Sequence, residues 1–96
     1  MTITRSENGN NITLMLEGWL DTQSAPELQK EFEAIDEKNQ SLVIDMEKLE
    51  YVSSAGIRQL VAIRQKMNDH VVIKNVSVEL MDIFHLTGVD RIVRFE

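Results

Sequence analysis

Two adjacent serines, Ser53 and Ser54, stand just past the middle of a 96-residue chain and lead into Ala55-Gly56-Ile57-Arg58. Ahead of them, Leu42-Val43-Ile44-Asp45-Met46 is a short apolar block with β-branched residues and no helical period, the pattern of a buried strand. Behind them, Ile57, Leu60, Val61 and Met67 fall on one face of a helix. The serines therefore lie where a loop becomes a helix. A hydroxyl at that place has two uses. It can cap free N–H groups of the first turn, a contribution of about 1 kcal/mol. It can instead carry a phosphate, which would meet the positive end of the helix dipole. On local chemistry alone the cap is the commoner use.

Other residues offer less. A catalytic serine needs a base and an orienting group. The two histidines, His70 and His85, fall at a strand start and late in a third helix, and no Gly-x-Ser-x-Gly elbow is present. Hydrolysis is accordingly a weak reading. Gly56 in a first helical turn serves either close packing or the approach of another molecule to the serine. Asp21 and Asp45 lie at or just past strand ends, where functional groups of open parallel sheets gather. Asp45 serves equally well in a turn. No ligand-spaced histidine pair and no Gly-rich phosphate loop occurs, so neither a metal nor another cofactor is expected. Trp19, the only tryptophan, could anchor a partner from an exposed loop, but a loop aromatic folded onto the core is the commoner case and is the reading taken. Glu47-Lys48-Leu49-Glu50 reads as a solvated loop.

The elements that must position these residues follow from pattern. Asn8-Gly9 marks a tight turn between strands at about 2–6 and 11–17, the second alternating Ile12, Leu14 and Leu16 with Thr13, Met15 and Glu17. Gly18 to Asp21 reads as a loop. Ser24-Ala25-Pro26-Glu27 has the form of a capping box with proline in the first turn, opening a helix with Leu28, Phe32 and Ile35 inward and an end near Asn39. The 42–46 strand, a helix from about Ala55 to Met67, and a strand at 70–74 come next. Ser77 caps a third helix that stops at Gly88, and Ile92 to Phe95 closes as a strand. The order β-β-α-β-α-β-α-β is that of a single α/β domain over residues 1–96, with parallel strands joined by right-handed crossovers.

Composition narrows the partners. The net charge of −6 disfavours nucleic acid and anionic membrane surfaces. No apolar run is long enough for membrane insertion. No basic-then-apolar leader opens the sequence, and cysteine is absent, which fits a cytoplasmic setting. A monomer is the default expectation.

Val52-Ser53-Ser54-Ala55-Gly56-Ile57, preceded by the Leu42-to-Asp45 strand, resembles the signature of STAS-domain proteins, the bacterial anti-sigma factor antagonists. Gly18-Trp19-Leu20-Asp21 followed by Ser24-Ala25-Pro26-Glu27-Leu28 resembles the family's first-helix entry, and Phe84-His85-Leu86-Thr87-Gly88-Val89 its third-helix exit. The resemblance spans essentially the whole chain in order. It implies a mixed sheet of about five strands with helices packed mainly on one side. It also implies that Ser54 is phosphorylated by a partner that is both anti-sigma factor and ATP-dependent serine kinase. The unphosphorylated antagonist binds that partner and frees sigma, phosphorylation releases it, and a PP2C-type phosphatase restores it. Such a protein is a binding module for transcription regulation and not an enzyme.

Asp21 matches an acidic loop position near the phosphorylated serine, and Ser53, Ala55, Gly56, Ile57 and Arg58 surround that serine as the partner-binding segment. Many members carry aspartate where Ser53 stands and a second small residue where Ala55 stands, and Arg58 occupies a place that is often glycine. Ser53 is therefore the second-choice phosphoacceptor. The rival reading is a STAS-like accessory subunit of a lipid-transport or stress-signalling complex, without serine phosphorylation.

Overall fold

Asn8 and Asn11 pair across a two-residue turn in which Gly9 takes a φ of 63°, which a glycine adopts without strain. This turn joins β1 (Thr2–Asn8) to β2 (Asn11–Leu20) as an antiparallel hairpin. The computed structural model describes all residues from Met1 to Glu96. After the hairpin come α1 (Ala25–Glu33), β3 (Ser41–Val52), α2 (Ser54–Met67), β4 (Val71–Lys74), α3 (Val78–Thr87) and β5 (Arg94–Phe95), with a 3₁₀ turn at Val89–Arg91 before the last strand.

The strands form one five-stranded sheet in the order β1-β2-β3-β4-β5, and every pair after the hairpin is parallel. The three crossovers all step in one direction along the sheet. Right-handed connections then place all three helices on the same face. Burial agrees: Ile12, Leu14 and Leu16 of β2 and Leu42, Ile44 and Met46 of β3 are sealed under Leu28 and Phe32 of α1, Leu60, Ile63 and Met67 of α2, and Leu80 and Phe84 of α3. Alternate positions such as Thr13, Met15, Val43 and Asp45 lie on the other face and are only partly covered. The expected α/β class, element order and one-sided helices are those of the structure.

Several boundaries differ from the pattern reading. Gly18 to Leu20 and Glu47 to Val52 are strand, not loop, and pair with each other as the distal halves of β2 and β3. Register shifts between Met15 and Glu17 and between Gly18 and Trp19 break the two-residue alternation, so the periodic signal stops before the strand does. The first helix ends at Glu33 rather than near Asn39. Asp36 takes over there: its carboxylate accepts from Lys38 N and Asn39 Nδ2 and folds the chain into a turn, while Ile35 stays buried. The last strand is shortened because residues 89–91 wind into the 3₁₀ turn after Gly88, whose φ of 83° ends α3 as expected. Ser77 caps α3 as expected, its Oγ accepting from Leu80 N at 3.2 Å.

Candidate functional site

The distal halves of β2 and β3 end side by side. Leu20 and Val52 are register partners, and the ladder runs one bond further, from Ser53 N to Leu20 O at 2.9 Å. The two chain segments that leave these strands, Asp21 to Ser24 and Ser53 to Gly56, are therefore neighbours at the carboxyl ends of adjacent parallel strands. This is where an open α/β sheet presents functional groups. Asp21 and the serines, 32 residues apart from Asp21 to Ser53 in sequence, are brought together by this one pairing.

Asp21 is fixed by its own turn. Its Oδ1 accepts from Gln23 N and Ser24 N, both at 3.0 Å, and its backbone carbonyl accepts from Ala25 N at 2.8 Å. Hydrogen bonds from the Ser24 backbone, and then from the Ser24 side chain and the Gln23 backbone, hold the carboxyl below its ordinary value despite some desolvation. The capping box read at Ser24 and Glu27 does not form. Ser24 is buried; its Oγ accepts from Asp21 N at 2.9 Å and shares its one proton between Trp19 O at 2.7 Å and Asp21 Oδ1 at 3.1 Å, tying the strand end to the helix entry.

Ser53 occupies the N-cap position of α2 in an extended conformation, and Ile57 N bonds to its carbonyl. Its side chain makes no capping bond, and its Oγ is buried without a partner. Ser54 is the first helical residue, beyond the cap position, and it is exposed. The cap reading of this serine is thus overturned: the backbone carries the chain into the helix, and the hydroxyl of Ser54 faces solvent. Ala55 and Gly56 are buried, Ile57 is half-buried and Arg58 is exposed.

Gly56 is explained by packing. A Cβ there would lie 2.7 Å from Val52 Cγ2, 2.8 Å from Leu20 Cγ and 2.9 Å from Leu20 O. The helix start is pressed onto the β2 and β3 ends, which fixes where Ser54 emerges. Trp19 is not folded onto the core. It is 57% exposed and packs against Tyr51, its register partner, with ring centroids 5.2 Å apart. This exposed aromatic pair was not legible as a pair, although Trp19 and Tyr51 each stand two residues before Asp21 and Ser53 and so share a sequence offset.

The remaining candidates stay apart. His70 follows the far end of α2, which a 14-residue helix places about 20 Å from Ser54. His85 bonds Asp90 through Nδ1 at 2.9 Å. Asp45 lies inside β3 and not at a strand end or in a turn; at the register shift its Oδ1 accepts from Glu47 N and Asn75 Nδ2. No group of three or more His, Cys, Asp or Glu side chains is placed to hold a metal ion, and no helix is long and apolar enough to cross a membrane.

The STAS domain family model matches residues 2–96, and the chain belongs to that family. No curated protein matches the chain by sequence. Among solved structures, it is similar to an anti-sigma factor antagonist from Mycobacterium paratuberculosis, with a TM-score of 0.86 and 23% identity over 98% of this chain and 83% of the other. It is also similar to the anti-sigma factor antagonist SpoIIAA in its unphosphorylated form, with a TM-score of 0.71 and 14% identity over 94% of this chain and 96% of the other. The phosphorylated form of the Bacillus cell-fate determinant SpoIIAA gives 0.75 and 14% identity over 99% and 91%. At these identities the likeness is one of fold.

Proposed function

We propose that this protein is an anti-sigma factor antagonist, a binding module that sequesters an anti-sigma factor with serine kinase activity and lets it go when Ser54 is phosphorylated. The observation that carries the reading is the placement of Ser54. It is exposed at the first residue of α2, beside the turn that fixes Asp21, on a helix start packed closely onto the β2 and β3 ends at Gly56. Ser53 is the poorer acceptor, because its Oγ is buried while Ser54 is open. Membership of the STAS family and the likeness to anti-sigma factor antagonists support the same reading.

The mechanism needs no refolding. A kinase transfers the terminal phosphoryl group of ATP to Ser54 Oγ, which loses its proton. The added charge of about −1.5 to −2 sits where the free N–H groups of α2 point. A partner surface packed over the strand ends would then have to bury a phosphate or leave, and release follows. Hydrolysis by a PP2C-type phosphatase reverses the step, in a cytoplasmic cycle. Calorimetric binding of the cognate anti-sigma factor tests this. Ser54→Ala is expected to bind as tightly as the unmodified protein and to stay bound with ATP present. Ser54→Asp is expected to bind at least about tenfold more weakly. Equal affinity of the two variants would exclude the switch and leave an accessory-subunit role as the better reading.

A further inference from the structure

Arg58 is the only charged side chain in residues 54–61, the first two turns of α2. It is exposed, and it lies four residues after Ser54. Residues four apart on a helix are surface neighbours, with Cβ atoms about 5–6 Å apart. Side chains also lean toward the helix N-terminus, so a long side chain at 58 covers the turn that presents Ser54. The ion pairs of the chain engage Arg5, Arg64, Lys66, Lys74 and His85, and Arg58 is in none of them. An arginine outside every ion pair therefore follows an exposed serine by four residues, on a helix whose first turn holds no acidic residue to compete for it.

We infer that Arg58 is the internal partner of a phosphate on Ser54. Phosphorylation closes a charge-assisted, fork-shaped pair between the phosphate oxygens and the guanidinium. The modification then does two things at once. It adds negative charge at the strand ends, and it withdraws the one cation that this part of α2 offers a binding partner. The inference rests on Ser54 being the modified residue. Ser53 is five positions from Arg58, at the extended N-cap, and a phosphate there would lie outside the pair. Asp21 is the acidic group on the neighbouring turn; its effect on the phosphate is common to all variants at position 58 and cancels in their comparison.

The test requires no kinase or partner. Phosphoserine is installed at position 54 of the full chain by genetic encoding, and the phosphate is titrated by ³¹P NMR. The ordinary second pKa is about 6. The phosphate is expected to titrate about 0.3–0.5 unit lower with Arg58 than in Arg58→Gln, with Arg58→Lys recovering part of the difference and about 1 M salt removing it. Identical titration of the wild-type and Arg58→Gln phosphoproteins would overturn the pairing. That result would leave open whether cells phosphorylate Ser54, so the two readings fail separately. Amide spectra of the two proteins report whether the substitution has disturbed the fold.

Discussion

A methyl group at position 56 would stand within 3.0 Å of Val52 Cγ2, Leu20 Cγ and the Leu20 carbonyl oxygen, one of which is rigid backbone. Overpacking of this kind costs about 1–3 kcal/mol, offset in part by the helix preference of alanine. Gly56→Ala is therefore expected to lose about 1–2 kcal/mol, a fall of roughly 5–15 °C in Tm for a chain of this size. Unchanged thermal stability would contradict the close approach. Asp21 gives a pH signature. Its folded-state pKa is lowered, so its contribution to stability is present above the ordinary value of 3.8 and is lost as pH falls through the lowered one. The stability gap between wild type and Asp21→Ala, followed by urea unfolding, should be full near neutrality and shrink below pH 3.8. The site residues were legible as types, since Asp21, Ser54 and Gly56 stand in motif order. The use of each was not. Glycine for packing and serine without a cap depend on how α2 meets the strand ends, a long-range contact that no local pattern encodes.

At the scale of elements, Ser77 and Ser54, both at helix starts, have opposite duties. Ser77 Oγ accepts from Leu80 N, so Ser77→Ala is expected to cost about 1 kcal/mol. Ser54 sits past the cap position and faces solvent, so Ser54→Ala should stay within about 0.5 kcal/mol of wild type. Denaturant unfolding of the pair decides it, and an equal loss in both would mean that the Ser54 hydroxyl stabilises α2 after all. The helix interiors and the proximal strands were readable because their burial is periodic. The distal halves of β2 and β3 were not. Their register shifts place Leu49, Val52 and Leu20 inward at uneven spacing, and charged Glu47, Lys48 and Glu50 between them read as loop. That hidden pairing is what joins Asp21 to the serines, so the site's assembly was less legible than its members.

Across the whole molecule, the monotonic strand order leaves all helices on one face, and the β2–β3 pairing brings the Asp21 turn and the Ser53-to-Gly56 segment to one end of two adjacent strands. A partner that docks over this end meets Ser54, the Asp21 turn and the exposed Trp19–Tyr51 pair together. Trp19 is the only tryptophan, so the free protein should show emission of a solvated indole. Binding of the partner should shift it to the blue; a spectrum unchanged by saturating partner would place the contact elsewhere. The central claim, that Ser54 is the switched residue, is tested most directly by mass spectrometry of the protein isolated from its native cells, with and without phosphatase treatment. A phosphatase-sensitive phosphate localised to Ser54 is the predicted result. A phosphate on Ser53 alone, or an unmodified 53–54 segment under every growth condition, would contradict it.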